Sequence, residues 1–119
     1  MLTLRWATGK GDMILVWLDN LVKIQGRLAT QREIDTLTSW AKKHKLTIDG
    51  KLNEEATIRA KPEAIKKALT KLIREEVGAA GYVVYAVDKK GKGKVIAHRS
   101  EIDLEQFTEV ARVSQVGGG

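Results

Sequence analysis

The sequence predicts a small single domain of the α+β class, with antiparallel β-hairpins and two or three amphipathic helices in the rough order ββ(β)α(ββ)αββα. Residues 2–25 and 82–98 hold β-like apolar runs separated by glycine-containing turns, a pattern typical of hairpins. Residues 31–45 and 62–77 carry apolar side chains at helical spacing. At 119 residues and 43% apolar composition, the chain is long enough to bury a core of its own.

The first element is a hairpin formed by Leu2–Ala7 and Met13–Leu18. The second of these runs is apolar throughout, which indicates a strand buried on both faces. A turn at Asp19-Asn20 then leads into Leu21–Gln25, where side chains alternate with a period of two. A helix over residues 15–24 is the alternative, because a short apolar run fits either structure.

The first helix is predicted from Gln31 to about Lys45. Thr30 and Glu33 have the spacing of a capping box, in which the hydroxyl accepts from a free amide and the carboxylate reaches back. Trp40 and His44 fall on its apolar stripe, which should face the core.

Residues 46–60 combine β-like triplets with turn residues, which favours a short hairpin between the helices. A second helix is predicted over residues 62–77. Pro62 suits its first position, because the missing amide costs nothing there, and Gly78 suits its end.

The end of the chain predicts a third helix over about 103–113. Ser100 and Asp103 are both able to cap it, and its apolar residues are spaced to face inward. Residues 1–113 would then form the single domain, and residues 114–119 a flexible Gly-rich tail.

A cationic hairpin is the most distinctive feature of the chain. Tyr82–Val87 and Val95–His98 are the predicted strands, and Asp88–Lys94 is the glycine-rich tip between them. Residues 89–100 hold five Lys or Arg and no acid, whereas residues 101–119 hold four acids and one Arg. On a chain of net charge +6, clustered positive charge of this kind attracts anionic partners.

This cluster predicts a small, non-enzymatic, nucleic-acid-binding module that contacts phosphate, in DNA or RNA, through its basic Gly-Lys hairpin. Tyr82 and Tyr85 point to opposite faces of their strand, so one of them should be exposed beside the tip. A solvated turn and a solvated helix face are the plainer interpretations. The predicted phosphate-binding residues are Lys89, Lys90, Lys92, Lys94 and Arg99, with Lys66, Lys67 and Lys71 on the second helix.

The alternative function is a protein-interaction adaptor or inhibitor, of the kind that mobile elements encode. Its basic hairpin would dock on an acidic protein surface or on a nucleic-acid-binding protein. A homodimer formed through Met13–Leu18 or through an exposed sheet edge is a variant of this hypothesis.

No cofactor or metal site is predicted. The chain has no cysteine, and His44 and His98 lack the spacing of paired metal ligands. The turn at residues 8–12 lacks the upstream glycine and the Ser or Thr of a phosphate-binding P-loop.

One weak catalytic pattern is present. Asp88 and Lys90 have the spacing of the acid-x-lysine element of metal-dependent nucleases, with Asp19 or Asp49 as a candidate second carboxylate. Because nothing in the sequence brings these groups together, we expect no enzymatic activity.

Targeting signals are not recognisable in the sequence. Residues 1–6 lack the features of a signal peptide, and the longest apolar run is far shorter than the ~20 residues that span a bilayer. With no cysteine for disulfides, these features predict a cytoplasmic protein that does not enter the membrane.

Overall fold

The computed structural model describes residues 1–114 and confirms the α+β class. Eight strands form one mixed sheet, and two α-helices pack against one of its faces. The strands are β1 Leu2–Thr8, β2 Gly11–Leu18, β3 Leu21–Gln25, β4 Ile48–Gly50, β5 Glu55–Arg59, β6 Tyr82–Asp88, β7 Gly93–Val95 and β8 Phe107–Ser114. The helices are α1 Gln31–Lys43 and α2 Pro62–Glu76, and single 3₁₀ turns lie at Arg99–Glu101 and Leu104–Gln106.

The strand order across the sheet is β4-β5-β3-β2-β1-β8-β6-β7. Neighbouring strands are antiparallel except for β1 and β8, which pair in parallel with Leu4 opposite Val110. The predicted hairpins at both ends of the chain and the short hairpin of β4 and β5 are therefore present. The predicted strand Val95–His98 is wrong in its bounds, because β7 pairs with β6 over Gly93–Val95 and the chain leaves the sheet after Val95.

The alternative helix over residues 15–24 is wrong, because β2 pairs with β1 on one side and with β3 on the other. The expectation that β2 is buried on both faces is also wrong. Met13 and Leu15 are buried under the helices, whereas Ile14 and Val16 are half-buried on the open face of the sheet. No element of residues 1–114 forms a second layer over that face.

The first helix ends slightly earlier than predicted, at Lys43 instead of about Lys45. The capping box has a different hydrogen bond from the one expected. The Thr30 hydroxyl donates to the Glu33 carboxylate over 2.8 Å, and its side chain caps no backbone amide. Trp40 fixes the helix to its neighbour, because its indole Nε1 donates to the carbonyl oxygen of Ala68 over 2.7 Å.

The second helix begins at Pro62, as predicted. Its buried stripe contains Ile65, Leu69 and Leu72, which pack into the core between the helices and the sheet. Burying one such side chain contributes roughly 1.5 to 3 kcal/mol, so this stripe holds the helix in place. Its opposite side, including the predicted binding residues Lys67 and Lys71, is exposed.

The predicted third helix is wrong, because residues 107–113 belong to strand β8 and residues 104–106 form a 3₁₀ turn. The register shifts between Val87 and Asp88, so that Val87 lies opposite Glu109 and Asp88 opposite Phe107. Thr108 is the extra residue of this β-bulge. Buried positions therefore fall at Phe107, Val110 and Arg112, and the first interval of three mimics helical spacing.

A crossover segment, residues 96–106, connects β7 to β8 and contains both 3₁₀ turns. Its side chains Ile96, Ile102 and Leu104 are buried in the core. The segment also lies against α2, where Lys66 pairs with Glu105. It therefore joins the cationic hairpin to the second helix.

Within residues 1–114, no helix is both long enough and apolar enough to cross a membrane. Of the predicted tail at residues 114–119, only Ser114 belongs to the described residues, and it is the last residue of β8. The rest of that predicted tail lies outside them.

Candidate nucleic-acid interface

The tip of the β6–β7 hairpin is held by the carboxylate of Asp88. Its Oδ1 accepts hydrogen bonds from the backbone amides of Lys90, over 2.8 Å, and Lys92, over 2.9 Å. Gly91 has φ +84°, a conformation that glycine adopts without strain. These contacts give the tip a defined shape although its side chains are exposed.

Three of the predicted residues project from this tip. Lys89, Lys90 and Lys92 are exposed, and none forms an ion pair with another residue in the described part of the chain. Their charges therefore remain available to an anionic partner.

Two other predicted residues are neutralised by the crossover segment. Lys94 Nζ lies 3.4 Å from a carboxylate oxygen of Glu101, and Lys66 Nζ lies 2.7 Å from one of Glu105. The acid-rich end of the chain thus folds back on the basic segment. The charge separation seen along the sequence is only partly kept in space.

The pKa values around these pairs follow from their hydrogen bonds. The bond to Glu105 raises the pKa of Lys66, and the same bond lowers the pKa of Glu105. The pKa of Glu101 is lowered first by the backbone amide of His98, then by that of Ala97 and by Lys94. Both carboxylates are therefore charged at neutral pH.

Arg99 lies against the second helix instead of the hairpin tip. Its Nε donates to the carbonyl oxygen of Arg74 over 3.1 Å. Lys67, Lys71 and Arg74 are exposed on the neighbouring surface of α2 and form no ion pairs within residues 1–114. We call these three residues and Arg99 the helix patch.

His44, which caps the C-terminal end of α1, lies near enough to this patch for its charges to change the pKa of the imidazole. The sequence did not predict this proximity. Burial lowers the pKa of His44 first, followed by the charges of Lys71, Lys43 and Lys67. Its Nε2 is buried and has no hydrogen-bond partner among the described residues. The pKa of His44 therefore depends on the positive charges of the surface around it.

The two tyrosines of β6 face opposite sides of the sheet, as predicted. Tyr85 lies on the open face and leaves 40% of its surface exposed. Its hydroxyl end lies over Gly93 of β7, where a Cβ atom would overlap the ring. Tyr82 instead lies on the helix side of the sheet.

Arg112 is a buried charge that sequence reasoning did not single out. Its guanidinium lies 4.1 Å from the ring centroid of Tyr82 and 5.8 Å from that of Trp6. Its Nη2 donates to the carbonyl oxygen of Ala7 over 2.6 Å, and its Nη1 lies 3.4 Å from a carboxylate oxygen of Glu76. The only signal in the sequence is a single Arg within an apolar alternation. These contacts tie β8 to β1 and α2.

The catalytic pattern does not assemble around Asp88, because this carboxylate is engaged in the hairpin turn. Asp49 belongs to β4, at the opposite edge of the sheet from β7. Asp19 shares a cavity of about 410 Å³ with Lys89 and Glu105, and Asp88 does not line it. No group of three potential metal ligands occurs among the described residues.

Comparison with known proteins gives no identification: no family model, no curated protein and no solved structure matches this chain significantly.

Proposed function

We propose that this protein is a non-enzymatic module that binds nucleic acid through contacts with phosphate. The observation that supports this proposal is the hairpin tip. Lys89, Lys90 and Lys92 stand unpaired on a turn that Asp88 holds in shape. Because these hydrogen bonds already order the turn, its backbone has less conformational freedom to lose when the lysines bind phosphate.

The helix patch is a second, weaker contact in this proposal. Arg99 belongs to the crossover segment that begins after β7, and it contacts α2, which carries Lys67 and Lys71. A long polyanion is therefore able to reach from the tip to the patch. Glu101 and Glu105 also belong to that segment, where they pair with Lys94 and Lys66. Their negative charge makes the segment itself less favourable for phosphate.

The proposal is tested by replacing Lys89, Lys90 and Lys92 together with Ala. At 0.1 M salt one lost phosphate contact costs about 0.7 to 0.9 of a log unit in affinity, so three cost about 100- to 500-fold. The salt slope should also become shallower by about 2 to 3. Fluorescence anisotropy with labelled single-stranded and duplex DNA and RNA, at several salt concentrations, measures both quantities.

The matched control replaces Lys23, Lys42 and Lys51 with Ala. These exposed lysines lie away from the hairpin, and the variant loses the same net charge. If both triple variants bind equally well, the hairpin tip is not the binding surface. Cleavage of the oligonucleotides by the unaltered protein in the presence of Mg²⁺ would contradict the non-enzymatic part of the proposal.

A protein-interaction module is the second candidate, favoured by the exposed apolar side chains of the open sheet face. Val95 and Val113 are 55% and 44% exposed there, and a protein partner that covered them would remove this apolar surface from water. Strand β2 is hydrogen-bonded on both sides, so a dimer formed by edge pairing would have to use β4 or β7 instead.

The absorbance ratio at 260 and 280 nm of protein purified at low salt separates the two candidates. A phosphate-binding protein retains cellular nucleic acid under these conditions. Protein that is free of nucleic acid and shows no affinity for the oligonucleotides would leave the interaction module as the better interpretation.

A further inference from the structure

We infer that Tyr85 is a stacking platform for an unpaired base, and that the preferred ligand is therefore single-stranded nucleic acid. The inference rests on the proposed function, since the lysines of the tip must hold the phosphates. It specifies the class of nucleic acid that binds, and it identifies a residue that contacts the base instead of the phosphate backbone.

The orientation of the ring supports a platform. Tyr85 is the only Trp, Tyr or Phe side chain among residues 1–114 that is exposed to this extent, at 40%. Its hydroxyl end lies over Gly93, which has no side chain to lift the ring away from the sheet. The ring therefore contacts β7, and 40% of the residue's surface remains open to solvent.

The surroundings of the ring suit a base. Its cross-strand neighbours are Val95 on β7 and Ala111 on β8, which provide an apolar surface. Glu109 lies on this face opposite Val87, and its Oε1 lies 2.5 Å from the Nε of Arg5. This pairing reduces the repulsion between Glu109 and a phosphate beside the ring.

The ring and the lysines lie on one continuous hairpin. Asp88 lies three positions after Tyr85 in β6, a distance of about 10 Å along a strand. One oligonucleotide is thus able to place phosphates on the tip while a base stacks on the ring. In a duplex the bases already stack on each other, so only an unpaired base presents its face to Tyr85.

The test compares three probes of equal length: a 12-residue oligothymidine, an abasic oligonucleotide with the same phosphates, and a 12-base-pair duplex. Base stacking should make the oligothymidine bind about 5- to 150-fold more tightly than the abasic probe. Tyr85→Leu still covers Gly93 but lacks an aromatic face. This variant should therefore bind oligothymidine no more tightly than the abasic probe. Tyr85→Phe should retain the preference.

A second readout uses the unaltered protein and does not depend on any variant folding. Adding oligothymidine should shift the NMR signals of the Tyr85 ring upfield, whereas the abasic probe should not. If Tyr85→Leu keeps the full preference for bases, or if the ring signals do not move, stacking is wrong. Loss of affinity for all three probes in the Lys89, Lys90 and Lys92 variant would still support phosphate binding in that case.

Discussion

The hairpin tip and the helix patch are both cationic, but they obtain their charge in different ways. Lys89, Lys90 and Lys92 of the tip follow one another on a single turn, and Asp88, the acid of that turn, accepts hydrogen bonds from backbone amides. The helix patch draws its residues from α2 and the crossover segment, and Glu63 and Glu75 share its helix. Lys89, Lys90 and Lys92 therefore form no ion pairs within residues 1–114, although Lys94 beside them pairs with Glu101. The charge of the helix patch depends more on residues that the fold brings together from distant segments.

The strongest test of this comparison replaces Lys67, Lys71 and Arg74 with Ala. We expect the affinity for nucleic acid to fall by about 5- to 8-fold at 0.1 M salt, which corresponds to one phosphate contact. The same number of substitutions at the tip should cost far more. Anisotropy titrations of both variants with one probe measure the difference, and equal losses would show that the two surfaces contribute alike.

A smaller effect is expected from Glu105→Gln, which releases Lys66 from its ion pair. The freed lysine adds at most one phosphate contact, so affinity should increase by no more than about 5- to 8-fold. Both partners are accessible to solvent, so the pair contributes little to the free energy of unfolding. Urea denaturation checks stability, and weaker binding by the variant would be inconsistent with phosphate near Lys66.

The smallest expected effect is a change in the pKa of His44, which depends on the charges of the helix patch. Phosphate at Lys67 and Lys71 would cancel the charges that lower the pKa of His44, and the pKa would then rise. A hexanucleotide covering only the tip should leave it unchanged. An NMR titration of the imidazole signals, with and without this probe, measures the pKa, and a clear rise would place phosphate on the helix patch.

His44 also makes folding depend on pH. Its pKa lies below the ordinary value of 6.5 in the folded protein, so the unfolded chain takes up the proton first as the pH falls. His44 therefore lowers the free energy of unfolding as the pH drops below about 6.5. His44→Gln should remove this contribution to the pH dependence of stability. Urea denaturation of both proteins at pH 7.5 and 5.5 provides the measurement.

Features set by neighbouring residues were predictable from the sequence. The helix start at Pro62, the meander of β1 to β3 and the opposite orientations of Tyr82 and Tyr85 all follow from local patterns. The strand β8 was not predictable in the same way, because the bulge at Thr108 changes the spacing of buried residues. Its bulge also depends on pairing with β6, some twenty residues earlier in the chain.

The candidate site likewise combines features set by neighbouring residues with contacts between residues that are distant in the sequence. The tip lysines could be predicted from the local sequence alone, because they lie close together in a glycine-containing turn. The neutralisation of Lys66 depends on Glu105, which is 39 positions away. The position of the Tyr85 ring depends on Gly93 lying opposite on the next strand. Contacts of this kind exist only after the chain has folded.

The place of β8 between β1 and β6 has a consequence for the order of folding. The five strands from β1 to β5 connect to one another without β8, whereas the β6–β7 hairpin joins the sheet only through it. The contacts between β1 and β8 link residues more than 100 positions apart, and such distant pairings slow folding because a long loop must close first. The basic hairpin should therefore dock late, and until it does, the edges of β1 and β6 are open to pairing with other chains.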